Sequence, residues 1–167
     1  MGSRLVYDLA VGLAHEGFRA VRFDYRGVGR SAGVYGQGDG EADDAVAVFD
    51  AVQGETGRTP LVVGYSFGGG VACRLGGRRS PQRIVLVACP VRLTESRLLP
   101  IQDAARVKAP VHVIVGDQDG FVPLADARAL AAAFHPPAAL TVLAGAAHFL
   151  EPSCNPHAVA AVLAALA

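Results

Sequence analysis

The sequence predicts an α/β fold: a doubly wound, mostly parallel sheet of about five strands with helices on both faces. Two observations carry that expectation. Five short runs are apolar almost without interruption and rich in valine, as strands covered on both faces must be. The segments between them space their apolar residues three and four apart, the period of a helix with one buried face.

Taken in order, residues 3–15 place Leu5, Leu9, Gly12 and Leu13 on one face and predict the first helix. AVRFDY (20–25) is the first strand-like run, and GVYGQGDG (33–40) reads as a glycine-rich loop. Residues 40–53 align Ala42, Ala45, Val46, Phe49 and Val52 along a second helix. PLVVGYS (60–66) predicts a strand, 67–77 a helix, RIVLVAC (83–89) a strand and PVHVIVG (110–116) another. Residues 123–134 and 156–166 are alanine-rich helices, with ALTVLAG (139–145) as the strand between them. Residues 91–109 form the one long irregular stretch, too short for an independent lid domain.

At 167 residues the chain is expected to be a single domain, residues 1–167, with no internal repeat or linker. Its 15 basic and 15 acidic residues balance to zero formal charge, so there is no basic field for nucleic acid and no polybasic stretch for a membrane. The expected partner is a small molecule, and a homodimer is left open. Cys73, Cys89 and Cys154 form no CxxC pair and read as free thiols. Asp8 interrupts the apolar start, and His15-Glu16 follow where a small-residue cleavage site would stand, so a cytoplasmic protein is expected.

In a parallel sheet of this kind ligands bind at the carboxyl ends of the strands. Gly64-Tyr65-Ser66-Phe67-Gly68 fits G-x-S-x-G between a strand and a helix. That sharp turn exposes the serine hydroxyl, and its flanking glycines leave room for neighbouring backbone. A hydroxyl needs a base, and the base an orienting acid. After the fourth run comes GDQDGFVP, with Asp117 and Asp119; after the fifth comes GAAHFLEP, with His148. Serine, acid and histidine therefore follow in order, each just past a strand. Asp119 is preferred as the acid because it lies farther out in the loop, with Asp117 expected to hydrogen-bond its own loop. His15, His112, His135 and His157 make no metal-binding spacing and read as structural.

These residues resemble the α/β-hydrolase superfamily over nearly the whole chain. FDYRGVGRSAG (23–33) is similar to its F-D-x-R-G-x-G-x-S segment, where Asp24, Arg26 and Ser31 are structural. GYSFGG looks like the nucleophile elbow, GDQDGFVP the acid loop and GAAHF the histidine loop, most of all as in small bacterial carboxylesterase-like hydrolases without a large cap. The resemblance implies Ser66 as nucleophile, His148 as general base and then acid, Asp119 as the group orienting the imidazole, and the Phe67 backbone N–H as one oxyanion-hole donor. No cofactor or metal is implied.

The family's second oxyanion donor comes from a loop that follows its third strand, and Met1 stands where the helix after that loop begins. The expectation is an amino-terminal truncation or a start codon placed too late. Without that strand the fold must leave a gap, pair its neighbours directly or borrow a strand. Two functions follow: hydrolysis of a small carboxylic ester through an acyl-enzyme, or a non-catalytic or impaired hydrolase-fold protein or fragment. Loss of one donor lowers turnover by on the order of 10²–10³.

Overall fold

Val62–Tyr65 (β1), Ile84–Val87 (β2), Val111–Gly116 (β3) and Ala139–Leu143 (β4) pair in parallel in the order β1-β2-β3-β4. They belong to a computed structural model that describes residues 3–148 and 155–166. Six helices connect or flank them: α1 (Arg4–His15), α2 (Asp39–Thr56), α3 (Phe67–Gly76), α4 (Pro100–Asp103), α5 (Leu124–Ala133) and α6 (Asn155–Leu166).

The period of two along each strand sorts side chains onto two buried faces. Ile84 and Leu86 of β2 join Val113 and Val115 of β3 beneath α3 and α5, where Cys73 and Leu130 complete the layer. Val85, Val87 and Ile114 point the other way and meet Leu5 and Leu9 of α1 with Ala158 and Val162 of α6. Register brings like to like: Leu86 lies opposite Val113, and Val87 opposite Ile114. All four residues of β2 are buried, so the sheet is doubly wound around its centre.

Helix α2 packs on α3 through Ala42, Ala45 and Phe49 against Val71 and Leu75. Its start is fixed by the Glu41 carboxylate, which accepts from the Gly36 and Gly38 backbone N–H groups at 2.8 and 2.7 Å. Asp44, one turn on, accepts from the Arg26 guanidinium at 2.7 Å and from the Arg26 backbone N–H at 2.9 Å. This ties the 24–33 loop to α2 and holds the Asp44 carboxyl below its ordinary range. Ser31 donates its hydroxyl to the Asp24 carbonyl within the same loop, at 2.8 Å. The stretch expected to be irregular, 91–109, holds α4 and a 3-10 turn at Ala104–Arg106. Arg74 of α3 pins it by donating to Asp103 at 2.9 Å and to the Arg97 carbonyl at 2.9 Å.

One expected strand is absent. Residues 20–25 take no regular secondary structure and join no strand, so among the described residues the sheet has four strands instead of about five. The reason lies beside them: β1 forms the edge of the sheet, and a groove of about 590 Å³ separates it from this segment. Leu9 and Leu13 of α1, Phe23, Phe49 of α2, and Val63 and Tyr65 of β1 are among its lining. A run can be apolar and extended, yet a strand exists only where a neighbour supplies the ladder. Of the three arrangements open to the sequence, the fold leaves a gap.

Leu86 is fully buried at the centre of the sheet. Leu86→Ala is expected to lower stability by about 2–5 kcal/mol in urea unfolding. Val142→Ala, at a position 41% exposed, should stay within about 0.5 kcal/mol of the parent.

Candidate active site

Strand β1 ends at Tyr65 and α3 begins at Phe67, so Ser66 must reverse the chain by itself. It does so at φ 50° and ψ −116°, in the left-handed half of backbone space that a side chain disfavours. Such a residue costs on the order of 1–3 kcal/mol and persists only where its surroundings over-determine it. Here the Ser66 N–H donates to the Val87 carbonyl at 2.9 Å, extending the β1–β2 ladder one residue past the strand. Gly64 is required by space, since a Cβ there would strike the Gly68 carbonyl oxygen. Gly68 is not: a Cβ there would meet only the Tyr25 hydroxyl, at an ordinary 3.6 Å.

The three residues singled out by order along the chain come together. Ser66 Oγ lies 2.9 Å from His148 Nε2, and His148 Nδ1 lies 2.9 Å from Asp119 Oδ2 and 3.1 Å from Oδ1. With Nδ1 protonated toward the carboxylate, Nε2 is left to accept from the serine. Asp119 is held by its own loop, where Oδ1 accepts from the Phe121 and Val122 N–H groups at 2.9 and 2.8 Å. Asp119 and His148 are both buried. The Phe121 and Tyr65 rings flank the imidazole, with centroids 4.9 and 5.8 Å away.

Reaching Ser66 from β4 is a matter of path. Parallel neighbours are about 4.8 Å apart, so the ends of β1 and β4 lie roughly 14 Å apart with β2 and β3 between. The chain after β4 doubles back over β3 to cross that distance. Ala146 passes directly above Gly116, where a Cβ would strike its carbonyl oxygen. Two hydrogen bonds hold the crossing. The Gln118 N–H donates to the Ala146 carbonyl at 3.0 Å, and the Gly145 N–H donates to Asp117 Oδ1 at 2.7 Å. Asp117 thus does not serve its own loop as expected. It grips the histidine loop, because the crossing brings an unpaired N–H within reach of its carboxylate.

Tyr65, adjacent to Ser66, donates its hydroxyl to the His148 carbonyl at 2.8 Å. Burial and the charge of Asp119 raise its pKa, which keeps the donor proton in place. Phe67 is the first residue of α3, and the opening N–H groups of a helix have no acceptor within it. Its ring stacks edge-on with Tyr25 at 5.8 Å and tilts against Tyr35 at 6.2 Å.

The remaining sequence candidates lie elsewhere. His112 Nε2 is 2.8 Å from the Thr141 hydroxyl on the neighbouring strand, a structural pairing. Cys73 and Cys89 are buried free thiols, and the hydrogen bond between the two together with burial pushes the Cys73 thiol up, so it packs as a neutral group. Cys154 lies outside the described residues. Among the described residues no cluster of His, Cys, Asp or Glu is placed to hold a metal ion, and no helix is long and apolar enough to cross a membrane.

The family model described as serine aminopeptidase, S33, matches residues 2–102, which include the arginine loop, the elbow and α3. The chain belongs to this family of α/β-hydrolases. The likeness of this α/β-hydrolase to solved structures extends past the matched segment. An alpha-beta serine hydrolase homologue from Coxiella burnetii shares 28% identity at a TM-score of 0.86, covering 100% of this chain and 78% of its own. A serine hydrolase without a lid from Xanthomonas campestris shares 29% identity at a TM-score of 0.83, covering 97% and 72%. An uncharacterized protein of Mycobacterium tuberculosis is 33% identical over 160 residues, 84% of this chain and 57% of its own length. One of Rickettsia prowazekii is 30% identical over 132 residues, 78% and 55%. The chain therefore spans little more than half the length of these curated relatives.

The sequence did not single out Tyr65 or Gly116. Gly116 left a signal: a glycine ending an otherwise β-branched strand marks a close backbone approach. Gly116→Ala is expected to displace the histidine loop and to cost about 1–3 kcal/mol by overpacking. A lowered thermal midpoint, together with shifted His148 imidazole resonances, would report it. Gly120→Ala, where a Cβ meets nothing within 4 Å, is the control.

Proposed function

We propose that the chain is a serine hydrolase of small carboxylic esters acting through an acyl-enzyme. The observation that supports it is the continuous line Ser66 Oγ–His148 Nε2 and His148 Nδ1–Asp119 Oδ2, each step 2.9 Å, beginning at a strained elbow. In this reading Ser66 Oγ attacks the ester carbonyl while its proton passes to His148 Nε2. Asp119 stabilises the imidazolium, and the Phe67 N–H donates to the oxyanion. His148 returns the proton to the leaving alcohol. Water then attacks the acyl-enzyme with the same histidine as base, releasing the acid and restoring Ser66.

An uncharged acyl group suits the surroundings. Phe121 lies against the imidazole, Phe67 follows the elbow with Tyr35 tilted on its ring, and Phe67 and Leu93 pack on one apolar cluster. The partner is thus a small-molecule ester, with no cofactor, and the cytoplasm is the proposed setting. A second reading rests on the groove beside β1: a hydrolase-fold protein of impaired activity, with Phe67 as its one donor. The two readings separate by rate, since loss of a donor slows turnover by on the order of 10²–10³ while leaving the nucleophile reactive.

Turnover of p-nitrophenyl butyrate and labelling by a fluorophosphonate probe test the proposal. Labelling at Ser66 is expected, with Ser66→Ala and His148→Ala both abolishing it. A folded protein that the probe leaves unmodified would overturn the assignment. Asp119→Asn should lower kcat by on the order of 10⁴. Asp117→Asn retains an acceptor for the Gly145 N–H and should change kcat by less than about tenfold. Hydrolysis of aminoacyl p-nitroanilides in preference to the ester would redirect the substrate class to peptides.

A further inference from the structure

His148 stands five residues beyond the last residue of β4, and among the described residues hydrogen bonds reach its loop at the backbone of Gly145, Ala146 and His148. Two of the ties run to the acid loop after β3: the Gly145 N–H to Asp117, and the Ala146 carbonyl to the Gln118 N–H. These fix the histidine loop relative to Asp119, and so bear on the Nδ1 side of the imidazole. Neither bears on β1, where Ser66 sits. The third tie does. The Tyr65 hydroxyl reaches the carbonyl of His148 itself, at 2.8 Å, from the residue that directly precedes the serine.

We propose that Tyr65 is a positioning residue that sets the Ser66–His148 distance by holding the backbone of the histidine to the nucleophile's own strand. The inference rests on Ser66 and His148 acting as nucleophile and base. The two anchor points are chosen economically: one residue from the serine along the chain, and within the histidine itself. Any drift of the histidine loop away from β1 therefore stretches the Tyr65 hydrogen bond together with the Ser66–His148 contact. The tyrosine ring adds a wall beside the imidazole, 5.8 Å between centroids, which limits rotation as well as translation. Burial and the Asp119 charge raise the phenol's pKa, which favours the protonated hydroxyl that the tie needs. A misplacement of about 1 Å between reacting groups lowers rate by up to ~10².

Tyr65→Phe removes the hydroxyl and leaves the ring packed. Its expected effect is a kcat per titrated active site lower by roughly 10- to 100-fold with KM within about twofold, and a fluorophosphonate labelling rate that falls in proportion. The His148 imidazole resonances should shift in the same variant, a readout that needs no turnover. Replacing Tyr65 with 3-fluorotyrosine, which restores the hydroxyl, should restore both. Unchanged imidazole resonances with an unchanged labelling rate would overturn the proposal, as would a loss that 3-fluorotyrosine fails to rescue. Failure of the parent protein to label at Ser66 sinks the nucleophile assignment instead. In that event a shift of the His148 resonances in Tyr65→Phe still supports the positioning tie, and its absence still refutes it.

Discussion

The site depends on one crossing. His148 follows the strand at the far edge of the sheet and meets Ser66 at the near one, so the chain after β4 must travel over the ends of β3 and β2. Backbone has to pass over backbone, and Gly116 is where it does so with no side chain in the way. The same geometry explains why the acid follows β3. Asp119 stands midway along the path, where a carboxylate can meet Nδ1 while Nε2 continues to the serine. Move the histidine loop by a strand's width and neither contact survives.

The crossing would have no fixed target without the elbow. Ser66 occupies a backbone conformation that costs energy, and β2 helps to hold it there. That strand is buried throughout and accepts the Ser66 N–H at its carboxyl end. Leu86 and Val87 face opposite layers of the core, so β2 cannot slide without exposing one set of side chains to the wrong face. The packing of the two aliphatic layers is in this sense converted into the position of one oxygen atom.

Much of this could be read before any coordinates. Ser66, Asp119 and His148 declared themselves because their residue types, their order and their places after strands agreed. The helices declared themselves because alanine and leucine at the right period leave little else to form. Other features depend on partners that local sequence does not name. The run 20–25 has a strand's composition, but pairing belongs to two segments, and β1 lies across a groove from it. Asp117 looked like a turn residue, and its partner, Gly145, is 28 positions away. Tyr65 occupies the variable position of G-x-S-x-G, and its hydroxyl acts on a carbonyl 83 residues downstream. Such long-range polar contacts leave no period to detect.

The open edge of β1 has a consequence for how the protein behaves in bulk. Among the described residues β1 pairs on one side alone, with β2, and an edge of this kind is a template for extended chains. Natural sheets blunt such edges with charge, proline or a bulge, and Val62–Tyr65 contains none of these. The 20–25 segment shields the edge only across a gap. Net charge offers no counterweight at this edge, being zero and supplying no long-range repulsion between molecules.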